Sequence, residues 1–177
     1  MRFQMSSALI PTNPNFLSRG SFKFTLQRAP DLNFFIQKVN LPGISINPVQ
    51  QPNPFVSIPH SGEHIEYEVL SVTFKVDEDM KNWIAMYNWM IGLGFPDNFG
   101  QYNTLKGQEK ITQKSLESDI SLFVLSSHRN PIFEVIFRNA FPISLSELEF
   151  DSTDEDVQYH EATVSFKYVS YAINAVT

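Results

Sequence analysis

From Leu70 to Asp77 the chain alternates, with Leu70, Val72, Phe74 and Val76 on one side and Ser71, Thr73, Lys75 and Asp77 on the other. That is the period of a half-buried strand. At Asp77 the period changes. Met80, Trp83, Ile84, Tyr87, Met90 and Ile91 recur at the i, i+3, i+4, i+7 spacing of one helix face, which predicts these residues as the buried core stripe of a helix. Asp77, Glu78 and Asp79 stand where carboxylates cap free N–H groups and oppose the helix dipole. Gly92, Gly94 and Pro96 read as its stop. One strand thus hands over to one apolar helix, with β-structure expected everywhere else.

The same patterns predict the remaining elements. Residues 1–20 carry Pro11, Pro14, Asn and Ser without periodicity, and read as an N-terminal arm preceding a single β domain over 21–177. Phe22, Phe24 and Leu26 alternate with Lys23, Thr25 and Gln27 as a first strand. Ala29-Pro30-Asp31 reads as a turn, and Asn33 to Val39 as a second strand. From Leu41 to Pro59 come Pro42, Pro48, Pro52, Pro54 and Pro59, a density that excludes both a helix and a central strand. Yet Ile44, Ile46, Val49, Phe55, Val56 and Ile58 make this stretch too apolar for a solvated loop. Residues 44–59 are therefore expected to be an extended ribbon that docks on another subunit.

Residues 98–118 are polar and long for a loop in a compact domain. Ile120 to Leu125 and Ile132 to Arg138, joined by Ser127-His128-Arg129-Asn130-Pro131, read as a hairpin ended by Ala140-Phe141-Pro142. Leu145 to Phe150 is a short strand candidate. An acidic turn follows from Asp151 to Asp156, and Ala162 to Tyr168 is expected to be the last and longest strand. The sum is a mainly β fold, a β-sandwich or barrel with one flanking α-helix.

Composition narrows the function. Of 177 residues 42% are hydrophobic, 14% aromatic and only 18% charged, a balance that either apolar surface covered by partners or a Phe-rich β core explains, with the partner reading favoured. The net charge of −6 argues against a general nucleic-acid binder, which needs clustered cations to neutralise phosphates. With no cysteine there is neither a disulfide framework nor a thiolate metal site. No run reaches the roughly 18 apolar residues of a membrane span, so no membrane anchor is expected.

Residue chemistry points to no enzyme. His60 and His64 in HSGEHIEYE lack the helical H-E-x-x-H arrangement, because Pro59 and Gly62 break any helix there. The run DSTDED lacks the glycine and the bidentate glutamate of a calcium loop, with Asp156 and Ala162 in those places. Gly92-x-Gly94 closes a helix and cannot cradle a phosphate. No serine elbow and no thiol nucleophile is present. Neither a cofactor nor a metal is expected.

The order of the pieces carries a resemblance. Asn40-Leu41-Pro42-Gly43 leads into the proline-bearing ribbon, and Glu66-Tyr67-Glu68 into Val72-Thr73-Phe74. That strand runs through Val76-Asp77-Glu78-Asp79 into the helix of Trp83 and Trp89. Phe141-Pro142, Glu147-Leu148-Glu149-Phe150-Asp151-Ser152 and Ala162-Thr163-Val164-Ser165-Phe166-Lys167-Tyr168 follow in turn. Over Asn33 to Tyr171 this resembles the tail tube proteins of contractile-tailed bacteriophages. The resemblance implies a structural virion protein of the tail, assembled in the host cytoplasm. Its copies would close into hexameric rings that stack into a conduit, with sheath or baseplate proteins as partners and genomic DNA passing through without specific binding.

The arm and the long loop look like additions to the simplest form of that family. They keep open a specialised ring: a baseplate tube initiator, a terminator or a hub. A reading from another class is a monomeric binding module, with Trp89, Phe95 and Phe99 as an aromatic patch.

Overall fold

A computed structural model of the chain describes residues 16–94, 100–101, 116–151 and 158–176. The expectations for the arm up to residue 15, for most of the 98–118 loop and for the acidic turn beyond Asp151 lie outside the described residues. In chain order the elements are β1 (Phe22–Leu26), α1 (Pro30–Phe35), β2 (Ile36–Val39), β3 (Ile44–Ile46), β4 (Val49–Gln51), β5 (Ile58–His60) and β6 (Ile65–Tyr67). Then come β7 (Leu70–Lys75), α2 (Lys81–Gly94), β8 (Ser118–Leu125), β9 (Pro131–Leu145), β10 (Glu161–Lys167) and β11 (Ser170–Ala175).

Seven strands form an open antiparallel sheet in the order β1-β8-β9-β10-β7-β2, with β11 added on β9. The fold is mainly β, with α2 on the flank of the sheet. β9 is its spine. The first part of β9 pairs with β8 and β11, and Phe141–Leu145 pairs with β10. Asn139 adopts φ 55° where the strand changes partners, and its N–H donates to Asp119 Oδ1 at 3.0 Å. Pro142 was expected to end this strand but lies inside it. Proline has no N–H for the ladder, and the register of β10 shifts between Ser165 and Phe166, opposite that position. The longest strand is therefore β9 with 15 residues, not the one from Ala162. Beyond Leu145 the expected strand to Phe150 is irregular, and β11 is an additional strand.

The alternation of β1, β7 and β10 holds. Phe24 and Leu26, then Leu70, Val72 and Phe74, then Ala162, Val164 and Phe166 all turn into one core. Ala29-Pro30-Asp31 opens a helix, α1, where a turn was expected. Pro30 suits a first helical position, whose N–H would have no partner in any case. Asn33 fastens that helix to β1: its Oδ1 accepts from Leu26 N at 2.8 Å and its Nδ2 donates to Leu26 O at 3.3 Å. Leu32 is then fully buried, and the second strand begins at Ile36.

The helix stripe needs correction. Asn82, Met86, Trp89 and Gly92 face the core of the isolated chain, while Ile84 and Tyr87 are 42% and 45% exposed. Met80, Trp83 and Met90 are half-buried, and Met80 precedes the helix at φ 55°. The helix is apolar almost all round, so periodicity cannot fix its rotation. A polar residue does. Asn82 is fully buried and its Nδ2 donates to Lys75 O at 2.8 Å, while its own N–H reaches Asp77 Oδ1 at 3.1 Å. This clasp between the end of β7 and the first helical turn leaves no buried amide group of Asn82 unpaired, as burial requires. It turns Met86 and Trp89 inward.

Candidate assembly interface

Four of the strands leave the body. β3 pairs with β6, in register Ile44↔Tyr67 and Ile46↔Ile65, and β4 pairs with β5, in register Val49↔His60 and Gln51↔Ile58. The extended ribbon expected over 44–59 is two-stranded, and it continues to Tyr67. The prolines explain its interruptions. Pro48 separates β3 from β4, Pro52 and Pro54 lie in the tip, and Pro59 sits opposite Gln50 on an edge where no third strand needs its N–H. Across the interruption Gly62 approaches the other strand so closely that a Cβ would lie 2.0 Å from Asn47 O. Only glycine fits there.

Polar side chains also bond to one another within the ribbon. Asn47 Nδ2 donates to Glu66 Oε1 at 2.8 Å, Ser57 Oγ donates to Gln50 Oε1 at 2.7 Å, and His60 Nε2 lies 2.7 Å from Gln51 Oε1. His60 is thus a ribbon residue, and His64 lies exposed just ahead of β6.

Ile44, Ile46, Val49, Phe55, Val56 and Ile58 are all exposed, Phe55 at 96% and Val56 at 63%. Directly opposed residues of an antiparallel pair share a face. Ile44, Ile46, Ile65 and Tyr67 therefore form one apolar side, with Ser45 and Glu66 on the other. No residue from Ile44 to Pro59 is charged. A water-exposed apolar stretch without charge is what a surface kept for a partner would present.

The ribbon is anchored at its root by aromatic side chains. Tyr67 packs against Tyr168 and Tyr171, with ring centroids 5.8 Å and 5.4 Å away, and both of these pack on Phe137. Burial, with neighbouring Tyr171, Tyr67 and Glu68 adding to it, pushes the Tyr168 hydroxyl up to about 12. Free strand edges are the other bare surface. Among the described residues β1, β2 and β11 each pair on one side only, which leaves backbone groups open to another chain.

Of the aromatic patch in the binding-module reading, Trp89 alone lies among the described residues, and it is not exposed. Trp89 is buried at 2% exposure, its Nε1 donates to Leu116 O at 2.9 Å, and the Arg28 guanidinium lies 5.1 Å above its ring. It is a core residue. Phe95 and Phe99 lie outside the described residues.

The chain matches the family model of the phage tail tube protein over residues 2–174. It belongs to the phage tail tube protein family. The family is structural and not enzymatic, which makes this chain a component of the tail of a virion. The tail tube terminator protein of Enterobacteria phage T4 is 31% identical to this family member over 141 residues, covering 77% of the chain and 75% of that relative. Two solved structures share the fold. A chain of the tube terminating cap of the anti-feeding prophage superposes with a TM-score of 0.61 at 14% identity, over 98% of this chain and 100% of that one. A chain of the PVC sheath–tube complex of an extracellular contractile injection system gives 0.55 at 15% identity, again over 98% and 100%.

Proposed function

We propose that this tail tube family member is a terminator: its copies close into a hexameric ring that caps the tube of a contractile tail. The observation that carries ring formation is the ribbon, six apolar side chains held out in water on a segment without charge. The 31% identity to a tube terminator supports the end of the tube over its repeating body. In such a ring the ribbon covers a neighbouring copy, and the open edges of β1, β2 and β11 meet strands of adjacent chains, which removes edges that would otherwise invite aggregation. Sheath or baseplate proteins are the further neighbours. Genomic DNA passes through without specific binding, in keeping with a net charge of −6.

The repeating tube subunit is the second reading, favoured by the match to the tube protein family itself. Electron micrographs of the purified protein separate the two. Discrete rings of one thickness, which also stop the growth of tubes when added to assembling tube protein, are expected of a terminator. Long tubes formed by the protein alone would establish the second reading, and a monomer at all concentrations would sink both.

A further inference from the structure

The ribbon is joined to the body by two short pieces of backbone, Asn40–Gly43 on the way out and Glu68–Val69 on the way back. The pieces are tied to each other: Glu68 N donates to Gly43 O at 3.1 Å, and Gly43 N donates to Glu68 Oε2 at 3.2 Å. Such bonds keep the two strands together but do not determine where the pair points. That requires contacts to the body. Two of these come from Tyr168, in the turn between β10 and β11, and from Tyr171 near the start of β11. Tyr168 Oη donates to Glu68 O at 2.9 Å, on the returning piece, and Tyr171 Oη donates to Pro42 O at 3.3 Å, on the outgoing piece. The turn itself is tied to the sheet, because Val169 N donates to Arg138 O of β9 at 3.1 Å.

We propose that Tyr168 and Tyr171 are positioning residues that fix the direction in which the ribbon leaves the body, one hydroxyl on each of its two roots. This rests on the reading of the ribbon as the assembly element. One hydrogen bond leaves an axis about which a rod can swing, whereas two on separate strands, backed by the packing of Tyr67 against both rings, remove it. A ribbon aimed in advance loses little freedom when it docks, so ring closure benefits from the clamp although neither tyrosine need touch the neighbouring copy.

The chain has no cysteine, so a pair introduced at Lys23→Cys on β1 and Val56→Cys at the tip provides unique sites for spin labels. Both positions are exposed and lie away from the clamp. Distances are read at dilutions below ring assembly. The labelled chain should give one narrow distribution. Each Tyr→Phe change deletes a hydroxyl and keeps the ring, lowering the ratio of clamped to released ribbon about five-fold, and Tyr168→Phe/Tyr171→Phe together about 25-fold. The distribution should broaden stepwise while the near-ultraviolet dichroism of the tryptophans is retained. Tyr171→Phe alone, at a half-buried position, gives a reading even if the double variant fails to fold. An unchanged distribution in folded variants overturns the clamp. If the unmodified protein makes no rings, the assembly reading fails, and the distance data still judge the clamp on their own.

Discussion

Trp83 and Trp89 lie on the same helix with different consequences. Trp89 is sealed in the core near Phe166 and hydrogen-bonded to Leu116 O, whereas Trp83 is half-buried and stacks on exposed Tyr87 with ring centroids 5.5 Å apart. Truncating Trp89 to alanine should leave a cavity and cost about 3–5 kcal/mol, with a smaller loss at Trp83. Urea titrations of the two variants decide, and a larger loss at Trp83 would mean that the helix packs through its Met80–Tyr87 side. Tyr168 gives a second test at this scale. Its folded pKa of about 12 lies above the usual 10, so the neutral hydroxyl is favoured by folding. Above pH 10 the unfolded chain releases this proton while the folded chain retains it. The stability it contributes is therefore complete below pH 10 and lost between about pH 10 and 12. Thermal midpoints measured across that window should fall more steeply for the native chain than for Tyr168→Phe. Parallel curves would mean that the hydroxyl is not held in its buried site.

At the scale of elements, the ribbon and the body are separable. Among the described residues, strands β3 to β6 pair only with one another, and Asn47, Glu66, Ser57 and Gln50 bond within the ribbon. Replacing Asn47 to His64 by a short Gly/Ser turn should therefore leave the tryptophan dichroism intact while rings disappear from micrographs. Unfolding would show that the ribbon belongs to its own subunit's core, and persisting rings that the contacts lie elsewhere. The ribbon's apolar positions could be read from sequence because proline density and hydrophobicity there contradict each other in an isolated chain. Its hairpin pairing could not, since β3 and β6 are three residues each and too short to show a period. The strands β1, β7 and β10 were legible because one face of each meets the core and the other water. The rotation of α2 was not, because both of its faces are apolar and the deciding group is the single buried amide of Asn82. Likewise α1 lacks a side-chain cap, and β11, with three consecutive exposed residues at its end, lacks a clean alternation. The clamp of Tyr168 and Tyr171 joins residues 100 and 129 positions apart to their carbonyl partners, a proximity no local pattern reveals.

For the whole molecule, the character of the exposed surface determines how a ring should respond to its solvent. In the proposed ring, the low charge content of 18% and the charge-free stretch from Ile44 to Pro59 would place the association free energy in apolar burial, roughly 1.5–3 kcal/mol for each large side chain fully covered. Ion pairs between exposed groups would instead be screened beyond a Debye length of about 8 Å at physiological salt. Among the described residues the one salt bridge, Lys81 with Asp79, is exposed and lies within a single chain. Assembly should therefore be indifferent to, or strengthened by, a rise in sodium sulfate from about 0.1 M to 1 M, and should weaken on cooling as hydrophobic association does. Sedimentation velocity across that series reads the ring fraction directly. Rings that dissolve as salt rises, or that tighten in the cold, would transfer the interface to charged groups and leave the exposed ribbon without its assigned role.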